Sequence, residues 1–262
     1  MRDFTLIIYK NLLDSFLQKN FTFITFEKFV KHDIPHPGKW LILRHDVDAR
    51  PEHSLAFARI QAERGIRGTY YFRMVPQSFQ EEIILEITSL GHEVGYHYET
   101  MDSCKGRVDD AYDEFCRHLE HFNKLVPVKT ISMHGSPMSP YDNREIWKKY
   151  DYRSLGILGE PYFDLDFNKV YYLTDTGRCW DGHRFNVRDK ATIDNPVKNT
   201  TFLSLHFHST EDIIKTVDAG LFPDYAMLNF HPQRWSDNRQ LWMREFIFQN
   251  LKNAVKAVIV KR

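Results

Sequence analysis

The chain has 262 residues, and 42% of them are hydrophobic, so it can bury a large core. Its formal net charge is zero and its pI is about 7.2, which excludes the strongly basic surface typical of nucleic-acid-binding proteins. Its three cysteines, Cys104, Cys116 and Cys179, are widely spaced and fit neither a disulfide framework nor a Cys-x-x-Cys zinc site. No apolar run reaches the roughly 18 residues that a membrane span requires.

The N-terminal segment carries an acidic residue and lacks the apolar core of a signal peptide, while residues 4–17 have the spacing of an amphipathic helix. We therefore expect a cytoplasmic protein. No repeat, low-complexity tract or Gly/Ser linker divides the sequence. We expect a single domain, residues 1–262, with a core of about 38–236 and a terminal helix at each end.

Strand and helix patterns alternate along the chain. The predicted strands cover residues 40–43, 68–73, 93–98, 130–134, 155–158, 170–174 and 226–230. The predicted helices cover residues 4–17, 52–64, a segment capped by Ser78, and residues 108–125, 146–150, 211–218 and 241–258. Strands separated by helices favour a parallel sheet, and at this length an α/β protein with a (β/α) barrel; a doubly wound open sheet is the alternative.

Two carboxylates follow the first of these strands. Asp46 and Asp48 lie where the strand gives way to a helix that opens with Pro51. In parallel α/β architectures the catalytic groups gather at this carboxyl end. Alternation places both carboxylates on the same side of the chain, so that one can hold a metal while the other accepts a proton.

Histidines end three further predicted strands. His97 and Glu99 close the strand at 93–98, His134 closes the next one, and His231 closes the strand at 226–230. A single histidine at a strand end is usually structural. Four strand ends that each deliver Asp or His favour one shared site, because a barrel brings its strand ends to one mouth.

Three of these segments resemble the motifs of a known family. Asp46-Val47-Asp48, the run Gly-His-Glu-Val-Gly-Tyr-His that ends at His97, and the late strand that ends in His231 resemble the polysaccharide deacetylases, the superfamily of chitin and peptidoglycan deacetylases in carbohydrate esterase family 4. The resemblance runs from about residue 41 to 235. It implies a distorted (β/α) barrel of about seven strands and one divalent metal, usually zinc, that serves to hydrolyse N- or O-acetyl groups on sugars.

The resemblance also implies roles for individual residues. Asp46 matches the general base and Asp48 the aspartate ligand of the metal. His97 matches the first histidine ligand, and His231 matches the histidine that acts as general acid toward the leaving group. His92 matches a position that precedes the ligand and does not bind metal, so we expect it to be structural.

The chain departs from the family at the second histidine ligand. That position, four residues after His97, is Met101 here, and a thioether is a poor zinc ligand. We expect His134 to be the third ligand, with Glu99 as the second choice. His134 also stands near the place where the family has an arginine that orients the base, so it is either a replacement ligand or a replacement orienting residue.

The segment at residues 171–182 concentrates Asp, Arg and Trp in a Gly-containing loop, which suits sugar rings and hydroxyls as well as a purely structural role. The predicted substrate-binding residues are Arg44, Glu99, Asp175, Arg178 and Trp180. Glu160-Pro161-Tyr162 and Arg188-Asp189 are candidates for the same rim. Ser209 or Thr210 is expected to cap a helix, and His206 and His208 are minor candidates for the site.

We find no Gly-x-Ser-x-Gly motif, and Ser136 fits a turn, so a serine nucleophile is not expected. The first hypothesis is a metal-dependent hydrolase that deacetylates a saccharide, with surface-polysaccharide biosynthesis as its setting. The alternative, suggested by Met101, is a degenerate barrel that binds a glycan or a partner protein without catalysis. The sequence names neither the sugar nor the oligomeric state.

Overall fold

The structure is a computed structural model that describes residues 2–35, 37–135, 139–180 and 205–259, with side chains described up to residue 253. Seven strands form one sheet: β1 (Phe21–Ile24), β2 (Lys39–Val47), β3 (Thr69–Phe72), β4 (Glu93–Tyr98), β5 (Ile131–Met133), β6 (Tyr171–Thr174) and β7 (Tyr225–Phe230). The helices are α1 (Leu6–Gln18), α2 (Phe26–Val30), α3 (Pro51–Ala62), α4 (Glu81–Ser89), α5 (Thr100–Ser103), α6 (Val108–Leu125), α7 (Pro161–Asp164), α8 (Thr210–Asp218) and α9 (Arg239–Ile259).

Every strand pairing is parallel, and the order across the sheet is β5-β4-β3-β2-β7-β6. The nine-residue β2 is long enough to pair with β1 along its first half and β3 along its second half. β7 lies on its other edge. The result is a parallel half-barrel with flanking helices, which confirms the predicted distorted (β/α) barrel of about seven strands.

The two faces of β2 contribute to different parts of the core. Leu41 and Leu43 belong to the main apolar cluster, whereas Trp40 and Ile42 belong to a smaller cluster with Met227. Because side chains alternate along a strand, Arg44 and Asp46 continue the face of Trp40 and Ile42. The apolar first half of β2 thus determines which way these charged side chains point.

Some predictions of local structure were wrong. Residues 155–158 do not form a strand, since a 3-10 helix ends there and Gly156 turns the chain with a φ of 77°. Ser78 does not cap a helix: α4 begins at Glu81, and the Ser78 hydroxyl donates to the Val47 carbonyl. The sequence prediction also missed β1, α2, α5 and α7.

The predicted helix at 146–150 is a 3-10 helix, Asn143–Lys148. The cap predicted at Ser209 is confirmed, because its side chain and that of Asp212 form a capping box at the start of α8. Of the helices that the structure describes, none combines the length and apolar character needed to cross a membrane.

Candidate metal and active site

The site lies at the carboxyl edge of the sheet, where neighbouring strands deliver polar side chains. Asp46 is the penultimate residue of β2, and Asp48 follows the strand by one position. His97 lies in β4, while His134 and His231 directly follow β5 and β7. Since all these strands run parallel, their ends meet at one edge, as predicted.

A glycine allows β4 to bring His97 to this edge. A Cβ atom at Gly95 would lie 2.6 Å from the Thr130 carbonyl oxygen and would also overlap the Tyr71 ring. Glycine is therefore the residue that permits this close approach of the backbone. The Gly-Tyr-His run is a packing requirement as well as a motif.

Asp48, His97 and His134 converge on one point. The Nε2 atoms of His97 and His134 lie 3.6 and 3.5 Å from Asp48 Oδ1. That buried oxygen has no hydrogen-bond partner among the described residues. Ligands at about 2.1 Å from a tetrahedral ion are about 3.4 Å apart, so these spacings fit a metal ion better than they fit direct hydrogen bonds.

Each of the two imidazoles is oriented through its other nitrogen. His97 Nδ1 lies 2.9 Å from the Ser132 carbonyl oxygen, and His134 Nδ1 lies 3.0 Å from Glu99 Oε2. The Arg73 guanidinium in turn donates to both oxygens of Glu99. The Ser132 carbonyl oxygen orients the His97 ring, and the Glu99 carboxylate lies at ion-pair distance from the His134 ring, so the Nε2 atom of each ring faces Asp48, an arrangement usual around protein-bound metals.

Neighbouring basic groups lower the pKa values of the two carboxylates in this cluster, Asp48 and Glu99. Burial alone would raise the pKa of Asp48, but the nearby imidazoles of His97, His134 and His231 hold it well below its usual range. Burial opposes ionisation of Glu99 too, yet His134 and Arg73 lower its pKa to about 2. Both carboxylates are thus ionised at neutral pH and can act as oxygen ligands or hydrogen-bond acceptors.

Met101 is buried in the apolar core beside the site, and its backbone N–H donates to Asn143 Oδ1. Glu99 lies within metal-binding range of His134 and Asp102 but does not belong to the group formed by Asp48 and His97. Of the two substitutes predicted for the missing histidine, His134 is the one that stands beside Asp48 and His97.

Asp46 is held by Arg44. Arg44 Nε and Nη2 donate to the two carboxylate oxygens at 2.8 Å each, and Asn229 Nδ2 donates to Oδ2 at 2.9 Å. Although burial acts in the opposite direction, the guanidinium charge lowers the pKa of Asp46 to about 2. An arginine that can orient Asp46 therefore stands two positions before it, on the same face of β2, whereas His134 lies beside Asp48.

Arg44 was predicted to bind substrate, and its position disagrees with that prediction. Its side chain is 1% exposed, and its fork is occupied by Asp46. It has no surface left to offer to a sugar. Its spacing from Asp46 was the sequence signal for the pairing, because residues i and i+2 of a strand share a face.

His231 is paired with Asp175. His231 Nδ1 lies 2.6 Å from Asp175 Oδ1, its backbone N–H donates to Oδ2 at 3.0 Å, and its Nε2 faces Asp48 Oδ2 at 3.9 Å. Arg234 and the Trp235 indole also donate to Asp175. Burial would raise the pKa of Asp175, but His231 and Arg234 lower it.

Three further predicted substrate contacts also lie inside the protein or against a helix. Asp175 is fully buried, and the described partners of its carboxylate are His231, Arg234 and Trp235. Trp180 is buried and its indole N–H donates to Thr210. Arg178 lies over the Trp242 ring of α9. These three side chains thus contact other parts of the protein in the described residues.

The other candidates have distinct positions. Glu160 is buried, where it caps α7, and burial raises its pKa to about 7. His92 Nδ1 accepts from the Gly68 N–H and Nε2 donates to the Ala58 carbonyl, which suits the structural role expected of it. His206 and His208 are exposed just before α8. Ser136 and Arg188-Asp189 lie outside the described residues.

Two residues near the site were missed by the sequence analysis. Gln233 Nε2 donates to Asp48 Oδ2 at 3.1 Å, and the Arg73 guanidinium donates to the Asp48 carbonyl oxygen as well as to Glu99. Gln233 stands two positions after His231, and Arg73 directly follows β3. Position at a strand end was the signal that could have found them.

Comparisons with known proteins give the following result. No protein-family model matches the sequence, and no curated protein matches it. A solved structure of a family 4 carbohydrate esterase from Bacillus anthracis is 12% identical with a TM-score of 0.42, covering 92% of this chain and 85% of its own. The Xyl-CE4 domain of a multidomain xylanase from the hindgut metagenome of Trinervitermes trinervoides is 14% identical with a TM-score of 0.42, covering 83% and 84%.

Both of these structures are family 4 carbohydrate esterases. At these identities and TM-scores, the assignment of chemistry to this chain rests on its own residues.

Proposed function

We propose that the protein is a metal-dependent hydrolase that removes an acetyl group from a saccharide. The observation that carries this proposal is the unpartnered, buried Asp48 Oδ1 with the Nε2 atoms of His97 and His134 at 3.6 and 3.5 Å. Two imidazoles and one carboxylate are a donor set that zinc prefers. Asp48, His97 and His134 would hold the ion.

A bound zinc ion would supply Lewis acidity and a lowered pKa of water at this edge of the sheet. Asp46, ionised and held by Arg44, accepts a proton from the attacking water. A pKa of about 2 makes it a weak base, so its fixed position is what it contributes most.

His231 delivers the proton to the departing nitrogen or oxygen. Its Nδ1 is hydrogen-bonded to Asp175, so its Nε2 faces Asp48. The bond from Nδ1 to the buried Asp175 carboxylate prevents the ring from turning. Together, Asp46 and His231 provide the base and the acid that amide or ester hydrolysis requires.

His134 beside Asp48 and His97 favours the hydrolase over the alternative of a non-catalytic binding protein, since a binding protein has no use for this group. The test is release of acetate from chitin oligosaccharides and from O-acetylated xylan, before and after a chelator removes bound metal. We expect activity to disappear with the metal and to return with added zinc.

Activity that persists in the fully stripped protein would contradict the metal requirement. A protein that contains zinc at the site but releases acetate from neither substrate would contradict the saccharide assignment.

A further inference from the structure

The C-terminal helix α9 turns polar side chains toward the protein and large apolar side chains outward. The residues that face the protein are Trp242, Glu245, Gln249 and Asn253, spaced three or four apart, and Gln249 and Asn253 are buried. The large apolar residues Met243, Ile247, Phe248 and Leu251 are exposed. A helix that packs on a core normally buries its apolar face, so this apolar face is not explained by the fold.

The polar face is fastened to the protein by specific bonds. Asn253 Nδ2 donates to the Gly177 carbonyl at 2.9 Å, and the Trp242 indole donates to the Asp3 carbonyl at 2.7 Å. Glu245 lies 4.0 Å from Arg50 across the contact. These contacts fix which side of α9 is turned outward, so the exposure of the apolar side follows from the packing of the helix.

The C-terminal segment of the sequence is rich in basic residues. Residues 239–262 contain six basic residues (Arg239, Arg244, Lys252, Lys256, Lys261 and Arg262) and one acidic residue, in a chain whose net charge is zero. Exposed Arg239, Arg244 and Lys252 flank the apolar side chains. An apolar stripe bordered by Lys and Arg, with aromatic residues in it, is the pattern of helices that lie in the headgroup region of a membrane.

We propose that α9 docks the protein on an anionic lipid surface, with Met243, Ile247, Phe248 and Leu251 inserted among the headgroups and the basic residues against the lipid charges. Two copies of this face placed together would bring like charges into contact. An anionic surface neutralises them, which favours lipid over a second copy of the chain. This inference is independent of the proposed hydrolase activity.

Docking would place the loop that carries Asp175 directly behind the lipid-facing helix. Arg178 of that loop lies over the Trp242 ring and donates to the Trp242 carbonyl, and Gly177 is bonded to Asn253. The side of the site that holds His231 therefore adjoins the proposed lipid-facing helix.

The test is flotation of the full-length protein with vesicles of equimolar phosphatidylcholine and phosphatidylglycerol, compared with vesicles of phosphatidylcholine alone. We expect the protein to float only with the anionic vesicles. Raising the salt to about 1 M, where charges are screened beyond about 3 Å, should release most of it.

The deciding variant is Ile247→Ser with Leu251→Ser, at side chains that are 61% and 64% exposed and so contribute little to folding. We expect the bound fraction to fall about tenfold, because insertion scales with apolar area. The control is Leu221→Ser, at a leucine outside α9 that is 71% exposed, which should float like the unaltered protein.

Absence of flotation, or an equal loss in the Leu221→Ser control, would overturn the proposal. A second contrary outcome is a protein that is a dimer in sedimentation velocity, a double variant that is a monomer, and no vesicle binding by either. In that case the apolar face of α9 would pack against α9 of a second copy.

Discussion

Arg44 and Asp46 stand two residues apart on β2 and form a buried, bidentate ion pair with two bonds of 2.8 Å. Arg44 is buried inside the protein, and Asp46 lies at the carboxyl edge of the sheet with the other polar groups. The pair keeps one carboxylate ionised and immobile inside a site where burial favours its protonated form.

Removing the Arg44 charge should therefore change the pH profile. In Arg44→Met the pKa of Asp46 rises, because the largest of the charges that oppose the effect of burial is gone, and the acid limb of kcat/KM should move to higher pH. The unpaired buried carboxylate should also cost about 3–5 kcal/mol of stability. Arg144→Met, which removes an arginine paired with Asp142 away from the base, serves as the control. An unchanged acid limb would mean that Asp46 is not the base.

Substitutions of Asp46 and Asp48 should differ in their effects on zinc content and turnover. Asp46→Asn should abolish turnover and leave the zinc content near that of the unaltered protein, since Asp46 accepts hydrogen bonds from Arg44 and Asn229 and is not among the residues proposed to hold the ion. Asp48→Ala should lose zinc and turnover together. Elemental analysis and acetate release on the same samples measure both; equal loss of metal in the two variants would show that the carboxylates share the ion.

The support of His134 by Glu99 should be visible in metal affinity. Glu99→Gln removes the carboxylate beside His134 Nδ1 and should weaken zinc binding about 10–100-fold. The matched control is Asp102→Asn, because Asp102 belongs only to the neighbouring group formed with Glu99 and His134. If Asp102→Asn weakens zinc binding as much, the ion lies in that second group.

His231 should matter most for poor leaving groups. His231→Ala should slow hydrolysis of a sugar acetamide by about 10²–10⁴-fold, the usual contribution of such a proton transfer. An activated aryl acetate, whose leaving group needs no proton, should be affected far less. Thermal unfolding must accompany the kinetics, since His231 is partly held by Asp175. Equal losses on both substrates in a stable variant would exclude the acid role.

Acid should destabilise the fold through its buried neutral histidines. Burial lowers the pKa of His92 to about 4, so between pH 6.5 and 4 the unfolded chain binds a proton that the folded chain does not. Within this range, the free energy of unfolding therefore falls by about 1.4 kcal/mol for each pH unit of acidification because of His92. The free energy of unfolding, measured with urea at several pH values, should fall less steeply with decreasing pH in His92→Gln. In His206→Gln, at an exposed position, it should fall as steeply as in the unaltered protein.

The sequence by itself determined the alternation of strands and helices and the strand ends that carry Asp46, Asp48, His97, His134 and His231. These follow from local rules: period-two and period-3.6 patterns, and the convergence of parallel strand ends. The same rules placed β2, β4 and β7 close to their observed positions.

Only the tertiary structure decided how those groups pair. The choice of His134 over Glu99 beside Asp48 depends on β5 lying next to β4, and the burial of Asp175 and Trp180 depends on loops that fold back under α8 and α9. A loop rich in Asp, Arg and Trp has the same composition whether it faces a sugar or the core. Burial is a property of the packed chain, because it is set by residues distant in sequence.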